Sequence, residues 1–287
     1  MYYLQLAVNG LSQGLVVGLA ALGITLVFGI ARFANASAGD SLTVGAYMAL
    51  VGQRLTGSLL IGAGFAIVMS VIVAVLSHKL IFKRLAMRSS VALLVGSIGL
   101  AFLLRGALGV IFGHQQEVFE IELTAPYRIG EIAISTLDVQ MASVAGLCLA
   151  AAFGTLYFTA IGRQMRAVAD NPDLARVSGI RPERVMLALW CLVAAITAVA
   201  GLILGIKTVV SPEIGWEILL PAFAAVILGG IGSPVGAIVA GLLLGVVQEI
   251  STPFVGFTYK IALSFIVILF VLLVRPRGLF GRIEGIR

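Results

Sequence analysis

Apolar residues run along this chain in long stretches rather than in the alternation of strands. Leu59–Leu76, Val91–Leu104, Leu187–Ile206 and Ile261–Val274 are close to continuous. An α-helix crosses the hydrocarbon of a bilayer with about 20 mostly apolar residues, whereas a barrel strand alternates over about 10. The runs therefore predict membrane-spanning helices at about 5–30, 57–78, 91–112, 138–160 and 185–207. Three further apolar segments are shorter, at about 42–53, 217–231 and 234–252. They meet their neighbours at polar or glycine-rich breaks, Arg32-Phe-Ala-Asn-Ala-Ser-Ala-Gly-Asp40 and Gly229-Gly-Ile-Gly-Ser-Pro234. With the final run, the pattern predicts an all-α polytopic membrane protein. It forms one transmembrane domain over 1–287, with about eight to nine segments, some of them broken or re-entrant.

A weak internal similarity links the two breaks. Gly45-Ala-Tyr-Met-Ala-Leu-Val follows the first as Gly236-Ala-Ile-Val-Ala-Gly-Leu follows the second. Paired interrupted segments in corresponding halves are a mark of transport pathways, but glycine–alanine pairs also recur by chance in a chain with 34 glycines. Asn35, Ser37, Gly39, Asp40, Gly229, Gly230, Gly232 and Ser233 are the candidate pathway residues. Non-helical backbone at membrane depth is tolerated only where protein buries it or it lines a cavity, and such dipoles suit a polar or zwitterionic solute. Helix packing through small residues is the competing reading.

Composition agrees: 60% of residues are hydrophobic and 11% charged, with mean hydropathy +1.12, far from the roughly 25% charge of soluble domains. The N-terminus has no basic region and no small-residue cleavage site follows the first run, so that run is expected to remain as a span. Thirteen of the nineteen basic residues fall into three blocks. These are Lys79, Lys83, Arg84 and Arg88; Arg163, Arg166, Arg176, Arg181 and Arg184; and Arg275, Arg277, Arg282 and Arg287. Glu117, Glu120, Glu122, Glu131 and Asp138 crowd the stretch between the first two blocks, against Arg128 alone. The positive-inside rule places the basic blocks in the cytoplasm and a loop at 113–137 outside. Parity then makes the C-terminus cytoplasmic and the segment around Ser211–Trp216 external, and Arg32 near the cytoplasmic side would place the N-terminus outside.

Catalytic chemistry finds little support. No P-loop, GxSxG or HExxH pattern occurs, and no metal set is expected. His78 and His114 stand at opposite ends of their spans and read as solvated interfacial residues. Cys148 and Cys191 read as small buried side chains. Asp40, Arg105 and Glu249 are the clearest ionisable groups in apolar surroundings. Such groups face a cavity or a partner, because a charge at the bilayer centre costs about 2.5–3.5 kcal/mol on insertion scales. Asp40 reads first as a helix N-cap, while Arg105 and Glu249 snorkel or pair.

The second basic block is the strongest signal. In 162–184, Met165, Val168 and Ala169 recur at helical spacing among Arg163, Arg166 and Asp170. Asp170-Asn-Pro-Asp173 reads as a stop and restart with an Asn or Asp cap and an early proline. Leu174, Ala175 and Val177 form a second apolar face, ended by Gly179. A helical hairpin needs only a few loop residues, so this structured element wants a partner.

Its spacing, Gly162-Arg-Gln-Met-Arg-Ala-Val-Ala…Asn171…Ala175…Ser178-Gly-Ile180…Arg184-Val, resembles the cytoplasmic coupling loop of LivH-type permeases. These are the membrane subunits of branched-chain amino-acid ABC importers. Asn9-Gly-Leu-Ser-Gln-Gly-Leu15 with Leu22-Gly-Ile-Thr-Leu-Val-Phe-Gly29 is similar to the family's first span. Asn35…Gly39-Asp40…Gly45-Ala-Tyr47, Leu228-Gly-Gly-Ile-Gly-Ser-Pro-Val-Gly-Ala237 and Arg275-Pro-Arg-Gly-Leu-Phe280 are similar to its two breaks and its end. The likeness covers nearly the whole chain. One departure is that Ala36 and Ala38 stand at the first break where the family commonly has Phe and His. That leaves the solute open among branched-chain and other amino acids, amides, urea and aromatic acids.

The resemblance implies a permease of the bacterial inner membrane that is not itself an enzyme and holds no cofactor. ATP and Mg would be bound by two cytoplasmic ATP-binding subunits. Gly162, Arg163, Arg166, Ala167, Asn171, Ala175, Gly179, Ile180 and Arg184 would form the contact with them. A second, LivM-like permease subunit, an external solute-binding protein and membrane lipid complete the expected partners, with no nucleic acid. A stand-alone channel or secondary carrier remains the alternative.

Overall fold

The structure is a computed structural model. It describes residues 2–86, 88–121, 127–129, 132–256, 259–275 and 278–281, with 127–129, 132–134 and 261 described by backbone only. Helix α1 (Tyr2–Ala31) is followed by α2 (Ala38–Thr56) and α3 (Leu59–Ser77). A π turn, His78–Phe82, and one further turn, α4 (Lys83–Leu85), continue α3 without a break. Next come α5 (Ser90–Phe112), a hairpin of β1 (Tyr127–Ile129) and β2 (Ile132–Ile134), and α6 (Thr136–Phe158). Two short helices, α7 (Ala160–Asp170) and α8 (Pro172–Val177), lead into α9 (Pro182–Lys207). The chain ends with α10 (Ile214–Gly229), α11 (Pro234–Val255) and α12 (Lys260–Val274).

The helical prediction holds, and six of the helices are long and apolar enough to cross a membrane: α1, α3 with its extension, α5, α6, α9 and α11. The segment read as 42–53 is the 19-residue α2, which starts before Asp40 and ends at Gly57 in a left-handed cap. The segment read as short over 234–252 is a full 22-residue helix, because Pro234 at its start and Ser233 as its cap fix the N-terminus.

Helices α1 and α9 lie at the centre, while α3, α5 and α6 show most of their apolar surface to the surroundings. Small residues set the central contacts. On α1, Gly10, Gly14 and Gly18 recur every fourth residue and face Gly241 and Gly245 of α11. A Cβ at Gly10 would lie 2.7 Å from the Val246 Cα, and one at Gly14 2.8 Å from the Leu242 Cα. Lipid tails are as apolar as leucine, so helices associate in membranes through such close backbone packing. The same device joins α2 to α9, where Gly45 abuts Ala198 and Gly201 abuts Leu42. Gly45 and Gly236 therefore have different neighbours: Gly236 packs on Gly229 at the α10–α11 turn.

One end of the bundle carries Lys79, Lys83, Arg84 and the α7–α8 element. The other carries Glu117, whose backbone bridges that of Val210. Arg275 is described; Arg277, Arg282 and Arg287 of the third basic block, and Glu122 and Glu131 of the acidic stretch, lie outside the described residues. His78 is a correction. It is buried at 9% exposure, with its ring 6.0 Å from Trp190, because the π turn rotates it inward against α9. His114 is exposed as expected.

Candidate functional site: a junction of broken helices and a basic helical element

The residues 32–37 turn the chain from the end of α1 back to the middle of the bundle, where α2 begins. The opening of α2 lies halfway along α9: Asn35, Ser37 and Ala38 share a small cavity with Trp190, Val193, Ala194 and Thr197. Helix α10 begins at the same level. Gly39 and Gly215, each in the first turn of its helix, abut so closely that neither could carry a Cβ without striking the other's carbonyl. Thr43 Oγ1 accepts a hydrogen bond from Gly215 N at 3.1 Å and donates to Gly39 O at 3.3 Å. Two helix N-termini thus meet inside the bundle. Val210 pairs at the Glu117 end, while Gly215 is buried on α2, where only glycine backbone packs this tightly, and Trp216 is exposed beside it.

Asp40 is not the N-cap of α2. Ser37 holds that position without a side-chain cap bond, and Asp40 turns to α5. Its carboxylate receives Arg105 Nε at 3.0 Å and Nη2 at 3.3 Å, a two-pronged pair whose side chains are 1% and 18% exposed respectively. The Arg105 guanidinium also lies 4.8 Å from the Trp216 ring centre and 5.6 Å from that of Phe102. Pairing was one of the two expectations for Arg105 and Glu249. Glu249 takes it too, meeting Lys260 at 2.6 Å.

Beside Trp216 stands Glu217, exposed and without a hydrogen bond or ion pair among the described residues. The sequence reading passed over it because it falls at the edge of an apolar segment. It lies two residues beyond Gly215, which packs on Gly39 at the start of α2.

The cavity between α2, α3, α5 and α9 measures about 20 Å³ and is lined by Asn35, Ser37, Ser41, Ser70, Ser77 and Thr197 among others. That is room for about one water. Asn35 Oδ1 accepts from the Ser37 amide at 3.1 Å and the Ser37 hydroxyl at 2.8 Å, while the buried Ser70 hydroxyl has no partner among the described residues. Of the predicted pathway residues, Asn35 and Ser37 line this cavity, while Gly39 and Asp40 at the same helix start face Gly215 and Arg105 instead. Gly229, Gly230, Gly232 and Ser233 do not line it. They form the α10–α11 turn nearer the basic end, where Gly232 N bonds Thr25 Oγ1 at 3.3 Å, Ser233 caps α11, and Phe280 N donates to Gly229 O. Packing accounts for them. Ser70, Ser77, Thr197, Thr43 and Gly215 had no sequence signal beyond being small or polar within apolar runs.

The basic element is built as its sequence suggests. Thr159 caps α7 through Gly162 N, and Gly162 sits against the Thr155 and Leu156 carbonyls at a corner with no space for a side chain. Met165 and Val168 are buried on the bundle, with Ala167 half-buried. Asn171 Oδ1 accepts from Asp173 N at 3.1 Å and Leu174 N at 3.0 Å, and Pro172 opens α8. Gly179, at φ +84°, ends it: Ile180 N bonds Ala175 O and Gly179 N bonds Arg176 O, the paired bonds of a left-handed helix stop. Ala175 is buried, Ile180 half-buried, and Arg163 and Arg184 are exposed. Arg166 folds back onto the Leu156 carbonyl and the Tyr157 ring, so its own chain occupies it. The free apolar groups are instead Leu174 and Val177, 64% and 87% exposed.

Residues 6–273 match the family model described as the branched-chain amino acid transport system permease component. The chain belongs to this family. LivH of Escherichia coli K12, named a high-affinity branched-chain amino acid transport system permease, is 30% identical over 99% of this chain and 97% of its own length. BraD of Pseudomonas aeruginosa, similarly named, is 30% identical with the same coverage. A probable LivH of Methanocaldococcus jannaschii is 28% identical over 92% of this chain and 88% of its own. The fold resembles a solved structure of PsaBC from Streptococcus pneumoniae in complex with Fab. The TM-score is 0.53 at 16% identity, covering 96% of this chain and 93% of that one. The permease family thus extends over the junction and the basic element alike, and the protein is a multi-pass membrane protein.

Proposed function

We propose that this ABC-importer permease passes an amino acid, branched-chain or related, across the bacterial inner membrane. The full-length relationship to branched-chain amino acid permeases carries the reading. In it the basic end is cytoplasmic, the N-terminus and the Glu117–Val210 end are external, and α1, α2, α3, α5, α6, α9, α10, α11 and α12 make nine passes. The two interrupted regions belong to two related halves. ATP and Mg are bound by two separate subunits that grip α7 and α8, not by this chain. An external binding protein delivers solute, and a second permease subunit completes the pathway.

The geometry supports this assignment of roles. Polar groups at half-depth (Asn35, Ser37, Ser41, Ser70 and Thr197) can exchange hydrogen bonds with a zwitterion. In this form their cavity holds about one water, so an amino acid enters only after the helices part. Leu174 and Val177 provide an apolar contact of the kind that a partner covers. Val177→Asp tests the reading, since a side chain this exposed bears little on folding. The variant should insert normally, lose the ATPase subunits on purification and abolish uptake into proteoliposomes. Normal uptake would overturn the assignment of this element.

A further inference from the structure

Arg32 has a backbone and a side chain that are both out of the ordinary. Its φ of 57° makes it the only non-glycine among the described residues in the left-handed region, where a Cβ crowds the carbonyl that follows. Its Nη2 donates to Ala169 O at 2.7 Å and Asp170 O at 3.2 Å, the last two carbonyls of α7. A cation at a helix C-terminus satisfies carbonyls that have no partner within the helix and opposes the negative end of the dipole. Arg32 makes no ion pair with a carboxylate among the described residues; it is engaged with main chain only.

The chain beyond Arg32 is pinned at nearly every step. Phe33 meets Phe82 of the π turn at 5.5 Å between ring centres, and Phe82 stacks on Trp190 at 4.5 Å. Ala36 N donates to Ser97 Oγ of α5 at 3.0 Å. Asn35 and Ser37 are bonded to each other and line the cavity, as does Trp190. A displacement of the α7 C-terminus is therefore passed toward the cavity wall through a short segment in which Phe33, Asn35, Ala36 and Ser37 are each held by a neighbour.

We propose that Arg32 is the positioning residue that couples the α7–α8 element to the polar break at the start of α2. The inference rests on the reading of α7–α8 as the ATPase contact. The guanidinium holds the break to α7, so when α7 moves, Asn35 and Ser37 move with it. The left-handed backbone is what aims the side chain at α7 rather than along α1.

The test uses the whole transporter in proteoliposomes, with both permease subunits, both ATPase subunits and the binding protein. Cys148 and Cys191 are replaced by Ala, and Ser41→Cys, on the cavity wall, reports opening through its reaction with a small methanethiosulfonate. With Arg32 intact, trapping with ATP and vanadate should raise the reaction rate by about tenfold or more, the scale of a modest population shift. Arg32→Gly removes the guanidinium while suiting the backbone conformation, so it folds. It should keep the ATPase subunits and their ATP hydrolysis, yet lose the nucleotide-dependent rise. Arg32→Lys, which keeps a cationic donor, should restore part of it. An unchanged rise in Arg32→Gly would overturn the coupling role while leaving the ATPase assignment standing. No rise even with Arg32 intact would overturn that assignment, and the coupling role with it.

Discussion

The Asp40–Arg105 pair offers the sharpest energetic test of the junction. Asp40 is 1% exposed, and Arg105 is 18% exposed between two aromatic rings. Asp40 is shut off from the surface, and Arg105, only partly exposed, is held between the carboxylate and the two rings. Breaking a buried pair by removing one partner costs about 3–5 kcal/mol, because the survivor stays buried and unpaired; replacing both together is far milder. Asp40→Asn and Arg105→Met should therefore each destabilise by that amount. Asp40→Asn should be at least as severe, since a stranded carboxylate can take up a proton and a stranded guanidinium cannot release one. The double variant should cost far less than the sum of the singles, so the coupling energy should reach about 3 kcal/mol or more, the top of the usual range for contacting residues. Unfolding of the purified protein in mixed detergent micelles, followed by tryptophan fluorescence, measures all three. The chain has two tryptophans, and Trp216 lies against the guanidinium, so its emission also reports whether Arg105 leaves. Single losses below about 1 kcal/mol that simply add would refute the buried-pair account.

Two further outcomes follow from the packing and the exposed carboxylate. Gly201→Ala places a Cβ 2.9 Å from the Ala46 amide and against the Leu42 carbonyl, both main chain of α2. The overpacking should cost about 1–3 kcal/mol in the same unfolding assay, and an unchanged midpoint would contradict the close α2–α9 approach. Glu217, two residues beyond the Gly39–Gly215 contact and without an ion pair among the described residues, should face a wet pathway rather than lipid, given the cost of a charge in hydrocarbon. Glu217→Gln should change solute uptake without loss of subunit assembly. Trp216→Cys, in a chain lacking Cys148 and Cys191, should react with a membrane-impermeant thiol reagent; no reaction and unchanged uptake would place this face elsewhere.

Much of the fold was legible because hydrocarbon imposes a length rule that long apolar runs obey. The α7–α8 element was legible for a different reason. Its stops and starts are local chemistry, with Asn171, Pro172 and Gly179 each acting on neighbours within a few residues. The junction was only half legible. Asn35, Ser37 and Asp40 mark a break by their polarity, but what they meet is set by long-range packing. The pairing of Gly39 with Gly215, or Asp40 with Arg105, leaves no periodic trace in either segment. The glycine-rich Gly229–Ser233 turn reads two ways for the same reason. Glycine serves close packing and open backbone equally, and only the neighbours distinguish them.

The glycine contacts between α1 and α11 have a bearing on how the protein is made. Gly10, Gly14 and Gly18 leave the ribosome first, while their partners around Gly241 and Gly245 follow more than two hundred residues later. At about 5–20 residues per second, the bare face of α1 must wait on the order of ten to forty seconds in the membrane before its partner is synthesised. During that interval it is open to pairing with any other small-residue helix, including the first helix of a neighbouring nascent chain. The contact that centres the finished bundle is thus among the last to form, and the quality of assembly depends on what shelters α1 until then.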